Sequence, residues 1–156
     1  MNTPSNELLN INQYGVLSPP PMLWIMLLFE TRHWWLSVFI AFSGQTWLFA
    51  ENYTALTLAV EVPTLFVLVA LSRRHPGAAT IFKWLWLHGR GLMSLTAVAS
   101  LALIAREWIG LSYWSVDNEW TTLATLALHV WILMRLWLTP IMSRVFSEFP
   151  HNGPQQ

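Results

Sequence analysis

The chain contains no cysteine. That excludes a disulfide framework, thiol catalysis, thiolate-bound zinc and Cys-ligated iron–sulfur clusters. Charge is also scarce: Asp, Glu, Lys and Arg make up 10% of 156 residues, against about 25% in a typical soluble domain. Eight basic residues balance eight acidic ones, so no basic surplus exists to neutralise phosphates, and a nucleic-acid partner is excluded. No phosphate-cradling glycine loop, HExxH zinc pair or serine-nucleophile motif occurs. The sequence therefore calls for no cofactor and no metal, and for no enzymatic activity. What is abundant is apolar. The chain is 54% hydrophobic and 14% aromatic, with mean hydropathy +0.44, which excludes intrinsic disorder and makes the bilayer the expected solvent. The length suits one domain.

Four apolar segments stand out, at about 21–43, 54–71, 85–109 and 120–139. A helix needs about 20 residues to cross the hydrocarbon core, and with no alternating strand pattern only helices satisfy the backbone there. The expected fold is all-α: a polytopic membrane protein with four transmembrane helices in a compact bundle. Residues 1–18 read as a polar N-terminal segment, 19–140 as the four-helix domain and 141–156 as a cytoplasmic C-terminal tail, polar and frayed from Ser147 onward. Ser18 is the expected N-cap of the first helix, with Pro19, Pro20 and Pro21 just before or in its first turn. That segment is not a signal peptide, since it lacks a basic leader and contains Glu30 and Arg32. In the third segment only fifteen uncharged residues separate Arg90 from Arg106, so both arginines must snorkel outward. Residues 81–90, with Lys83, Trp84, Trp86 and His88, also fit a helix lying along the interface.

Loop charge sets an orientation. One side carries Arg73, Arg74, Lys83 and Arg144, with Arg90 nearby. The other carries Glu51, Glu107, Asp117 and Glu119, with Arg106 as its basic residue. Both termini are expected in the cytoplasm, with Arg73, Arg74, Lys83 and Arg90 forming a solvated positive patch that attracts anionic headgroups. Trp24, Trp84, Trp86, Trp108, Trp114, Trp120 and Trp137 fall near span ends, as an aromatic interface belt does.

The block Tyr14, Gly15, Val16, Leu17, Ser18, Pro19, Pro20, followed by Leu23, Trp24, Leu27, Leu28, Phe29 and Arg32, resembles the opening of the YfeZ-like inner-membrane family of Gram-negative bacteria, a domain of unknown function. Gly89, Arg90, Gly91 and Leu92 look like a second family feature. The family pattern has an apolar or small residue before the arginine, where this chain has Glu30 and Thr31. The resemblance spans residues about 12 to 140 and implies a multi-pass protein of the bacterial inner membrane. It implies no mechanism.

Ionisable groups at membrane depth cost about 2.5–3.5 kcal/mol each on insertion scales, so Glu30 and Arg32 make the first helix marginal alone. They lie about 200° apart around a helix and are poorly placed to pair. Glu30 and His33, at i and i+3, can meet. Arg32 is expected within salt-bridge distance of Glu61 or Glu30, with Glu61 at a similar depth, about 16 Å in. Pro63 can kink the second helix and free a carbonyl. Thr54, Thr57 and Glu61 share the spacing i, i+3, i+7 with Thr122, Thr125 and His129, which would bring a Glu61–His129 pair to the midplane. The putting together of Glu30, Arg32, His33, Glu61 and His129 as one buried polar cluster leaves three functions open. One is a non-enzymatic accessory or structural protein, its charges holding the bundle together. A second is a small proton-coupled transporter working as an oligomer, with Glu61 or Glu30 as the titrating carboxylate. The third is a b-type haem carrier using His33 and His129. The expected partners are the lipid bilayer and either a second copy of the chain or another membrane protein.

Overall fold

The structure, a computed structural model, describes residues 11–12, 14–43, 55–110 and 120–150. These form seven helices: α1 (Pro21–Glu30), α2 (Arg32–Ser43), α3 (Ala55–Ser72), α4 (Thr80–Leu87), α5 (Gly89–Gly110), α6 (Trp120–Leu138) and α7 (Pro140–Ser147). Among the described residues there is no strand beyond an isolated bridge between Ile11 and Leu17. Helices α3 and α6 are each long and apolar enough to cross a membrane. The pairs α1/α2 and α4/α5 qualify when each bent pair is taken as one span, giving two to four candidate spans. Many large apolar side chains are exposed around the bundle, among them Ile25, Phe39, Leu95, Trp120 and Leu138, a surface compatible with a lipid surround.

Proline sets two helix starts. A residue before proline is pushed into the extended region, so Pro19 and Pro20 cannot be helical. Pro20 accordingly has φ −66° and ψ 151°, and α1 begins at Pro21 with no side-chain cap. The cap expected at Ser18 falls two residues too early. Thr139 precedes Pro140 in the same way: it is extended, α6 ends at Leu138, and α7 starts with proline in its first turn. Inside α3, Pro63 is accommodated without ending the helix. Its missing N–H forfeits a bond to the carbonyl four residues back. Donors from two neighbouring helices reach the carbonyls on either side of that one: Trp34 Nε1 donates to Leu58 O at 3.0 Å and Thr96 Oγ1 to Val60 O at 3.2 Å.

The bundle has two ends. At the near end, the chain before α1, the 73–79 turn, α4 and α7 close over a core of Leu23, Met26, Leu27, Val67, Ala70, Trp86, Met93, Ile132, Leu136, Met142, Val145 and Phe146. The far end is where α2 and α5 finish and α3 and α6 begin. Helix α5 packs against both α3 and α6. The expected tail at 141–156 begins instead as α7. Met142, Val145, Phe146 and Phe149, spaced i, i+3, i+4 and i+7, are all buried in the core, and so large an apolar stripe costs too much to leave in water. Residues 81–90 do not run straight into the helix that follows: α4 meets α5 at a 58° bend. Gly89 makes that bend possible. A Cβ there would collide with the Phe146 ring and lie 3.2 Å from Val67 Cγ1.

The tryptophans expected in an aromatic belt divide by exposure. Trp24, Trp84, Trp120 and Trp137 are exposed, whereas Trp86 is fully buried, ring against Phe146 at 4.8 Å, with its indole N–H donating to Val145 O at 2.9 Å. Glu51, Thr54, Trp114, Asp117 and Glu119, and the side chain of Glu107, lie outside the described residues.

Candidate functional site

The charged stretch of the first apolar segment is where its helix breaks. Helices α1 and α2 are bent by 67° about Thr31. A break leaves orphan carbonyls on one helix and orphan N–H groups on the next. Arg32 Nη1 donates to Phe29 O at 3.0 Å, and the guanidinium covers the Phe29 ring at 4.4 Å. A cation thus sits at the negative end of α1. On the other side, Glu61 of α3 sits at the positive end of α2: its Oε2 accepts from the His33 backbone N–H at 3.2 Å, and its Oε1 lies 2.5 Å from His33 Nδ1. Thr31 bridges the break, donating to Leu27 O at 2.7 Å and accepting from Trp35 Nε1 at 2.9 Å.

Glu30, Glu61 and His129 are all buried, with relative exposures of 1%, 2% and 0%. Their pairing differs from the one expected. Glu61 engages His33 rather than His129, because the bend turns the first residues of α2 toward α3. His129 faces Glu30 instead, with Nε2 3.9 Å from Glu30 Oε1, and its ring lies edge-on to Phe29 at 5.1 Å. His129 Nδ1 is 2.7 Å from Thr125 O. Glu30 is set apart chemically: among the described residues neither of its oxygens finds a hydrogen-bond donor, and neither does His129 Nε2 find a partner.

Beside this cluster a cavity of about 230 Å³ opens in the far half, lined by α2, α3, α5 and α6. Arg32, His33, Thr57, Ser100, Thr122 and Thr125 give it a polar lining. The two threonine stripes read from the sequence therefore do face one interior space, at Thr57, Thr122 and Thr125. Ser100 also lines it, and sequence reasoning missed this residue because it lies outside the threonine spacing that the other two helices share.

The four basic residues expected as one solvated patch divide. Arg73 is exposed and Lys83 half-buried, but Arg74 is buried. Arg74 Nη1 donates to Leu17 O at 2.7 Å, Nη2 donates to Glu148 O at 3.0 Å, and the guanidinium stacks on Trp86 at 4.7 Å. Glu148 Oε2 accepts from the Leu17 N–H at 2.8 Å. Burial pushes the Arg74 pKa down to about 10 while nearby Glu148 opposes the shift, so the side chain stays charged at neutral pH. Arg90 is half-buried, donating through Nε to Leu136 O at 3.1 Å and lying over the Trp137 ring at 4.4 Å. The turn leading into α1 needs Gly15, whose φ of 71° is unfavourable for residues with a Cβ.

The fold and its interior define an all-helical chain, with two to four helices long and apolar enough to span a membrane, built around two buried Glu–His contacts. Residues 7–148 match the sequence model of the family described as "Protein of unknown function (DUF2919)", and the chain belongs to that family. No curated protein and no solved structure matches it.

Proposed function

We propose that this chain is an integral protein of the bacterial inner membrane, YfeZ-like in kind, with four spans (α1/α2, α3, α4/α5 and α6) and both termini in the cytoplasm. Its role is that of a non-enzymatic structural or accessory component, with the lipid bilayer and a second copy or another membrane protein as partners. One observation carries this reading: Arg32 and Glu61 are spent on the backbone groups that the break in the first span exposes. Charges used in this way hold a bent helix in lipid, where unsatisfied backbone costs several kcal/mol. The orientation follows from the excess of Lys and Arg at the near end. A reporter fused after Thr139 should be active in the cytoplasm and one inserted near Asn52 in the periplasm; the reverse pattern overturns the topology. An affinity handle at either end should recover the same partner, or a second copy, at fixed stoichiometry in mild detergent. A monomer in both cases overturns the accessory role.

A second reading, a proton-coupled transporter working as an oligomer, is favoured by Glu30, a buried carboxyl that the break does not use. The haem reading gains no support, because His129 is fully buried with its Nε2 toward a carboxyl group.

A further inference from the structure

We infer that Glu30 and His129 form a single-proton relay site, reached by water from the far-end cavity. The inference deepens the proton-coupled reading and does not depend on the structural one.

The argument begins with hydrogen-bond inventory. A carbonyl only accepts, so the 2.7 Å contact with Thr125 O fixes the hydrogen of His129 on Nδ1. Nε2 then faces Glu30 Oε1 across 3.9 Å, both atoms without another hydrogen-bond partner among the described residues. With no proton between them, a carboxylate faces a nitrogen lone pair. With two, an acid O–H faces an N–H. Both arrangements repel and carry net charge in a buried place, which is costly. With one proton, the two atoms form a neutral pair in either of two arrangements. In one, Glu30 is the acid and donates to Nε2. In the other, the O–H bond has broken, an N–H bond has formed on Nε2, and carboxylate and imidazolium face each other. The transfer moves one proton and changes no net charge. The gap exceeds hydrogen-bond length by about 1 Å, a movement within reach of the Glu30 side chain.

The neighbouring charges hold contacts of their own, and Arg32, His33 and Glu61 remain close enough to act on the pair electrostatically. On α2, Arg32 donates to Phe29 O and His33 contacts Glu61. On α3, Glu61 also accepts from the α2 backbone. On α5, Arg90 donates to Leu136 O, and on α6, Arg135 lies 5.8 Å from the Trp131 ring. The cavity supplies access. Thr125, whose carbonyl holds His129, lines it, and so does His33, the partner of Glu61. Toward the near end Leu23, Met26, Leu27, Ile132 and Leu136 are dry core, so the approach is from one side.

The test is nitrogen NMR of histidine-labelled full-length protein in lipid nanodiscs, combined with proton uptake by proteoliposomes. In the wild type, the His129 Nε2 signal should be displaced from that of a free lone pair, and Glu30→Leu should abolish the displacement while leaving the Nδ1 signal in place. Ser100→Phe, which fills the cavity, should slow deuterium exchange of the shared proton by about tenfold or more. A free-lone-pair Nε2 signal that ignores Glu30→Leu overturns the site. Exchange unaffected by Ser100→Phe overturns the access route. Proton uptake lost in Glu30→Gln and retained in Glu61→Gln supports transport through this pair. An intact NMR signature without wild-type uptake overturns the transport reading and leaves the relay site standing.

Discussion

The near and far halves of this bundle solve opposite problems with similar residues. In the near half a buried cation, Arg74, donates through both Nη atoms to backbone carbonyls and lies against an aromatic face, with only its Nε lacking an acceptor among the described residues, and the core beneath it is apolar and closed. In the far half buried acids and histidines meet one another beside a cavity, and among the described residues both oxygens of Glu30 and the Nε2 of His129 lack a hydrogen bond. A charge enclosed by backbone carbonyls is structural cement. A carboxyl that faces only an imidazole is available for chemistry. The comparison teaches that burial alone does not mark function; the satisfaction of the buried group does.

Substitutions can sharpen or break that contrast. The largest loss is expected from Arg74→Ala, which removes two donated bonds and the Trp86 contact from a buried site: roughly 3–5 kcal/mol of stability, read by thermal or SDS unfolding in detergent. Arg74→Lys should recover less than half, since an ammonium cannot reach both carbonyls while stacking. Below pH about 10 this arginine is charged both folded and unfolded, so it contributes no pH dependence there. Above that pH the folded chain releases the proton before the unfolded chain does, and the contribution of this group to stability rises with pH. A steep stability loss traced to Arg74 between neutrality and pH about 9 contradicts its lowered pKa of about 10.

Next comes Gly89→Ala, which sets a methyl against Phe146 and should cost about 1–3 kcal/mol. Gly91→Ala, with nothing within 4 Å of the added carbon, should be neutral or slightly stabilising. Equal effects at the two glycines would show that the bend is not closely packed. In the far half, Glu61→Leu should cost about 2 kcal/mol through the lost contacts to α2, and Glu61→Gln less than about 1 kcal/mol, because the amide oxygen still accepts. Thr31→Val should cost about 1 kcal/mol, with Thr31→Ser nearly silent. If the far-half substitutions cost more than Arg74→Ala, the division into cement and chemistry fails.

Much of the frame was legible because hydrophobic runs scale with bilayer thickness: the segments at 54–71 and 120–139 are α3 and α6 almost to the residue. The break at Thr31 was not. No glycine or proline marks it, and its stability comes from Glu61, 28 positions beyond His33 in the chain. The partners of the buried acids were misassigned for the same reason. Spacing along a straight helix places Arg32 and His33 on faces that a 67° bend then redirects. Helix α7 did carry a signal, the apolar stripe from Met142 to Phe149, but its polar neighbours Ser143, Arg144, Ser147 and Glu148 read as tail. Trp86 was taken as an interfacial ring because sequence does not say which of several tryptophans on a short helix turns inward.

The contacts among Leu17, Arg74 and Glu148 also bear on the order in which the molecule is assembled. They join residues 131 positions apart, so the earliest helices to leave the ribosome must wait, with one end of their core open, until residue 149 has been made. During that interval Trp86 lacks both its acceptor on Val145 and its neighbour Phe146. Formation of the long helices and sealing of the core are thus separate events in time, and a chain arrested after α6 has its long helices in hand but not its closure.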